Sequence, residues 1–446
     1  MISKRINNIV YALILVFFTA CTSDDSVETN NAIDAHVLVF NSMPFNATLK
    51  IKSTSFLTVS IDVYNEDSSE LIWTYSNVEI NDEPKNIVIG NLRELKSYHY
   101  KIRHDQEVLF KGNFTMLESP GWIADSSSFN VSGELILDGK SMLFNKMSMP
   151  SGVFVVDENG KTLWARSSDN FIKMVKLTHR ETILTLEDNT GNQLGSGNII
   201  LETTFSGDTL TYLKQGVNDF KHMAHHDVLL NNQGNFAYIN DIPKDNNYVV
   251  DGVSVLNPNG QKIWEWETTP YISIPTLNNN EFVQPWGNSL TIDESDDNYI
   301  VSFRNLNQIW KVHSLTGDVI WSIGKEGTIL LEGNDAFMFQ HHAQMVSDNK
   351  LLLFDNGSLE DRSYSRIVVY TIDFDNNEAS LTTNIKLSNT LFSPFMGAVQ
   401  LLPNGFLVTS SMTGKIARLN NNGEVLGQLD FSDRIFRASI IENYFE

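Results

Sequence analysis

One repeated pattern constrains this 446-residue chain more than anything else: a tight turn ending in glycine, then a tryptophan four residues on. Gly160 leads to Trp164, Gly260 to Trp264 and Gly317 to Trp321, with a weaker copy at Asn421, Asn422 and Gly423 that leads to Val425 and Leu426. A glycine there supplies the positive φ of a hairpin turn, and the following strand presents a large aromatic group to a core between sheets. A second element is strand, polar turn, strand, as in Asp227 to Ile239 and Val399 to Val408; Ser289 to Phe303 and Gln344 to Phe354 follow the same plan. Successive starts fall roughly 50–60 residues apart, which suits four-stranded blades. About six blades fit between residues 130 and 446, with Ile435 to Ile441 available to pair with the first blade and close the ring.

The stretch before the repeats reads differently. From 32 to 120 the chain alternates as short strands, such as Leu57 to Tyr64 and Tyr98 to Ile102, separated by polar turns. Its last part, Leu92 to Ile102 and Leu109 to Thr115, resembles the final two strands of a fibronectin-III sandwich. The expected fold is therefore all-β: an N-terminal fibronectin-III-like β-sandwich followed by a six-bladed β-propeller.

Residues 1–20 form a secretory signal: Lys4 and Arg5, then a mostly apolar run from Ile9 to Phe18, too short to span a bilayer as a helix. Thr19 and Ala20 precede Cys21, the chain's only cysteine, and this resembles a lipoprotein cleavage site. Lipidation at Cys21 would tether the protein through acyl chains, with 21–31 as a flexible linker. The acidic pair Asp24 and Asp25 resembles the surface-export signal of some lipoproteins, so the expected location is the outer membrane, periplasmic or surface-exposed.

Composition removes several functions. A single cysteine leaves no intrachain disulfide and no thiolate-rich metal site. A net charge of -22 argues against broad nucleic-acid binding, which needs cations to displace counterions. No Gly-x-x-x-x-Gly-Lys-Ser/Thr loop is present, so a P-loop nucleotide site is not suggested.

Half of the ten histidines sit in two short stretches, His222, His225 and His226, then His341 and His342, each at the start of a repeat. Innermost strands line a propeller's channel, so such positions converge there. Arg304 lies in another repeat, and its planar fork suits a sulfate or phosphate group. His225, His226, Asp227 and His341 are adequate zinc or copper ligands in type, but no His-Glu-x-x-His pattern appears and no metal or other cofactor is assigned. Calcium held by Asp/Asn turns stays open.

These residues carry a family resemblance. Phe339 to Ala343 with Phe354 to Gly357, Ser302 to Arg304 with Gly317 and Trp321, and His225 to Asp227 with Gly234 and Asn235, together resemble the aryl-sulfate sulfotransferases, exported propeller enzymes. The resemblance places the nucleophilic histidine on His341, in a Gln-His pair, the arginine on Arg304, and a further histidine on His226, with His225 its rival as a substrate-binding group. A histidine usual in the family between a tryptophan and an Asn-Ser pair has no counterpart in Trp286-Gly287-Asn288-Ser289, where Asn288 is the candidate for a sulfate oxygen. The implied reaction is ping-pong transfer from an aryl sulfate donor to a phenolic acceptor through a sulfohistidine. The other reading is a non-catalytic, surface-anchored propeller that binds a glycan or a protein partner.

Overall fold

A computed structural model describes residues 32–124, 129–191, 195–244, 249–272, 284–331 and 336–445. The signal sequence, Cys21 and the linker lie outside the described residues. Nearly all regular structure is β, and no helix among the described residues is long and apolar enough to cross a membrane.

Seven strands come first: β1 (Ile33–Val39), β2 (Ala47–Ser53), β3 (Leu57–Asn65), β4 (Leu71–Ile80), β5 (Lys85–Ile89), β6 (Ser97–His104) and β7 (Glu107–Thr115). They make two sheets, ordered β1-β2-β5 and β4-β3-β6-β7. Alternate residues such as Leu49, Ile51, Ile61, Val63, Tyr100 and Ile102 point into the shared core. Met43, Phe205 and Phe445 join this unit to the repeats in one apolar cluster, and Asn91 N–H donates to Leu163 O at 2.8 Å.

Six small sheets follow among the described residues, each mostly antiparallel and of four or five strands. Their leading strands are Ala438–Ile441, Phe171–Leu177, Ala224–Leu230, Gly287–Asp293, His341–Ser347 and Ala398–Leu402. The first of these pairs with Ser141–Lys146, so the end of the chain completes the sheet that the repeats begin with. At the other extreme Asn130–Gly133 adds to the outer strand Val425–Asp430 of the last sheet. The chain thus fastens itself twice, and two edges that would otherwise be open are paired.

Each sheet is tied to the next. Asn145 Nδ2 donates to Ile172 O, Lys176 pairs with Asp227, Leu290 N–H donates to Asp227, Asn288 Nδ2 donates to Gln340 O, His342 Nδ1 meets Val399 O, and Ile440 N–H donates to Gln400. The sixth sheet returns to the first, giving a propeller-like arrangement.

The turns explain the repeat. Gly160, Gly260 and Gly317 all take φ near +80°, as the sequence predicts. Asp157 and Asn257 each accept two backbone N–H groups across their turns, and Asn420 does the same in the weaker copy. Trp164 is fully buried, donating its indole N–H to Phe205 O, and Trp321 is buried too. Trp264 departs from the expectation. Two residues on, Trp266 points to the same side and takes the deep slot against Phe303 and Trp310, leaving Trp264 half-buried.

Candidate active site

The sequence places histidines at the heads of leading strands, and bulges at those heads decide where they point. In Ala224–Leu230 the pairing to the next strand skips from Ala224 to Val228, so His225, His226 and Asp227 stand out of register. Gly287–Asp293 slips at Asn288, and His341–Ser347 slips between His341 and Gln344. His226 and His342 take left-handed φ values of 60° and 48° within these bulges. A bulge breaks strict alternation, so neighbouring side chains no longer face opposite sides.

His341 is buried. Its Nδ1 lies 2.8 Å from Asn356 Oδ1 and 3.1 Å from Phe339 O, both acceptors, so Nδ1 carries the proton. Asn356 cannot turn its amide around, because its Nδ2 donates to Ser393 O at 2.6 Å and Met396 O at 2.5 Å. Nε2 of His341 is left with a free lone pair and no hydrogen-bond partner among the described residues. Burial, aided by the Arg304 charge and opposed by the Asn356 bond, pulls its pKa down to about 4. The imidazole is therefore neutral at ordinary pH.

The Arg304 guanidinium carbon lies over two aromatic rings, 4.3 Å from the Phe339 ring centre and 5.1 Å from that of Phe395. Its Nη1 donates to Asn305 Oδ1 at 2.9 Å, and no acidic side chain pairs with it among the described residues. Burial lowers its pKa. A half-buried guanidinium without a counter-charge is built to receive an anion.

His226 is buried and neutral, held well below the ordinary histidine pKa by burial and then by the neighbouring groups His225, His341 and Arg304, any positive charge on which would oppose its own. His226, His341 and Arg304 thus lie within one another's electrostatic reach. Asn288 donates its amide nitrogen to Gln340 O at 2.7 Å, so it fixes the backbone ahead of His341. His225 turns to Asp251 and Asp241, its Nε2 3.3 and 3.4 Å from a carboxylate oxygen of each. His342 faces away from His341 and bonds Val399 O. His222 is half-buried outside the group.

Sequence reasoning gave no role to Asn356, Asp251 or Phe395. Asn356 stands beside a glycine turn within a stretch already singled out, which was its one signal; Asp251 and Phe395 lie in other strands and loops with none.

A family model described as Arylsulfotransferase (ASST) matches residues 101–438, more than half of the chain. The chain belongs to this arylsulfotransferase family. No curated protein matches it. Among solved structures, a protein of unknown function from Bacteroides caccae is 11% identical, with a TM-score of 0.44, covering 68% of this chain and 100% of its own. The periplasmic gluconolactonase of Pseudomonas aeruginosa is also 11% identical, with a TM-score of 0.41, covering 68% of this chain and 99% of its own. Membership makes the protein a sulfotransferase at the level of the family, acting on small molecules.

Proposed function

We propose that this arylsulfotransferase moves a sulfuryl group from a phenolic sulfate ester to a phenol in two half-reactions, through a sulfohistidine at His341 and without a nucleotide donor. The six sheets are read as six blades of a propeller behind a fibronectin-III-like sandwich, spanning 130–446 and 32–120. Cys21 is read as the lipid anchor that holds the enzyme at the outer membrane.

One observation carries the reaction. The Asn356 side-chain carbonyl accepts a hydrogen bond from Nδ1–H of His341, and two backbone carbonyls hold that amide in place. The tautomer is thereby set, and Nε2 meets the substrate as a neutral nucleophile. As Nε2 bonds to sulfur the S–O bond to the aryl group breaks, and the ring becomes an imidazolium whose Nδ1–H bond to Asn356 strengthens. Arg304 holds the sulfuryl oxygens with its remaining N–H groups, and its stacking on Phe339 fixes it before substrate arrives. The acceptor phenol then attacks the same sulfur from the side the first phenol left, giving up its proton to a nearby base such as His226, as the S–N bond breaks and its electron pair returns to Nε2 of His341.

The test is to mix the protein with 4-nitrophenyl sulfate in the absence of acceptor and locate the modification by peptide mass spectrometry. A sulfated peptide containing His341, absent in His341→Ala, is expected. Turnover should drop by roughly 10^4-fold or more in that variant, as when an enzyme loses its nucleophile. Turnover that survives the substitution would overturn the assignment, and no turnover or label with several donors would leave an anion-binding surface protein.

A further inference from the structure

His225 and His226 are consecutive, yet their rings meet edge to face with centroids 5.2 Å apart, and their Nδ1 atoms are 2.9 Å from each other. A regular strand would send them to opposite sides; the bulge and the positive φ of His226 bring them together. Two nitrogens at that distance share one proton, so one ring donates and the other accepts. The direction is set behind His225. Its Nε2 faces Asp251 and Asp241, which Gln284 bridges with its amide at 3.2 and 2.7 Å, while Asp251 also accepts the Trp286 and Gly287 N–H groups. Burial opposes a charge on His225, but the two carboxylates outweigh it and raise its pKa. Two carboxylates facing Nε2 favour the charged ring, and in that form His225 carries protons on both nitrogens, so it donates and His226 accepts at Nδ1. Neutral His226 then holds its own proton on Nε2, which has no acceptor among the described residues.

The geometry points to His225, backed by Asp251 and Asp241, as a positioning residue that fixes the tautomer of His226 and feeds it a proton for the departing phenolate. This rests on the sulfuryl-transfer reading above. In the first half-reaction the S–O bond breaks toward the aryl oxygen. That oxygen takes the Nε2 proton of His226, and His226 Nδ1 takes the proton of His225 Nδ1, leaving His225 neutral. The acceptor phenol reverses both transfers as its oxygen bonds to sulfur, so the proton count is restored over one cycle.

The test compares phenyl sulfate, whose leaving group is basic, with 4-nitrophenyl sulfate, whose leaving group needs little proton help. It uses the full chain with His225→Asn, whose amide can take the place of the Nδ1 donor but releases no proton, and with the milder Asp241→Asn. General-acid catalysis is worth roughly 10²–10⁴-fold, so the loss in His225→Asn should be at least ~10-fold greater with phenyl sulfate than with 4-nitrophenyl sulfate. Asp241→Asn should shift the ratio in the same direction by less. Equal losses with both donors, in variants whose thermal unfolding matches the wild type, would overturn the inference. Nitrogen-15 spectra of labelled histidine should show His226 as the Nε2–H tautomer in the wild type; the Nδ1–H form would also overturn it. If the wild type turns over no donor, the sulfotransfer reading fails and those spectra alone decide the His225 pairing.

Discussion

His226 and Asp227 are neighbours in the chain, but they belong to two different electrostatic regions. Asp227 lies fully buried where the leading strands meet, ion-paired to Lys176 at 2.6 Å and Arg437 at 3.1 Å, and accepting the Leu290 N–H. Burial works against its charge, but Arg437 and Lys176 outweigh it and keep its pKa low. Every strong charge there has a partner, and the group ties four sheets together. Beside His226 the opposite holds: Arg304 has no carboxylate partner among the described residues, and His341 and His226 are kept neutral. The difference teaches that a cation paired with a buried carboxylate fastens the sheets, whereas one without such a partner is free to meet an anion, as the proposed reaction requires of Arg304.

That contrast is broken most forcefully at Asp227. Asp227→Asn keeps the shape but leaves Lys176 and Arg437 buried without their counter-charge. Removing one partner of a buried ion pair costs about 3–5 kcal/mol, so a large drop in the denaturant midpoint is expected. An unchanged midpoint would mean that the paired region does not hold the sheets together. Arg304→Met probes the other side. It should leave the midpoint near the wild-type value and reduce turnover by roughly 10²–10³-fold, as loss of a transition-state donor does. A destabilised Arg304→Met with normal turnover per folded molecule would reverse the assignment of the two regions.

Much of this contrast could not be read from the sequence. The positive φ of Gly160, Gly260 and Gly317 was legible, because a hairpin turn imposes it on a glycine whatever surrounds it. The depth of each tryptophan was not. Trp264 and Trp266 share a face, and only the packing of Phe303 and Trp310 selects Trp266. The pairs His225/His226 and His341/His342 were visible as clusters, but strand alternation predicts opposite faces within each pair. The bulge at His225 and His226 overrides that, whereas His342 still faces away from His341, and nothing in the local sequence marks the difference. Partners such as Asn356 for His341 and Asp251 for His225 arrive from other parts of the sheet, Asp251 from two strands away, so their roles exist only once the sheets are assembled.

The neutral state of His341 gives a prediction with a definite sign. Its pKa is about 4 in the folded protein, below the ordinary histidine value of about 6.5. Between those values the unfolded chain binds the proton and the native state does not, so stability falls as pH drops across that window. The full contribution is about 3 kcal/mol, present above pH ~6.5 and lost below ~4. His341→Asn should remove this part of the pH dependence of the midpoint. The acid limb of the wild-type rate profile should lie near 4, since a protonated imidazole has no lone pair for sulfur. A limb near the ordinary histidine value would place His341 in a wetter setting than its buried one.

The smallest effect is expected where the two Arg304 neighbours differ. Phe339 lies 4.3 Å from the guanidinium and is half-buried; Phe395 lies 5.1 Å from it and is 49% exposed. Phe395→Leu keeps an apolar cover but removes the negative ring face that attracts the cation. An exposed cation–π contact is worth about 0.5–1 kcal/mol, so turnover should fall by only about 2–5-fold. Phe339→Leu should cost more, because its contact is closer and better shielded from water. Equal losses at the two positions would show that the aromatic pair works as simple packing, and that what sets Arg304 apart from Arg437 is the missing carboxylate alone.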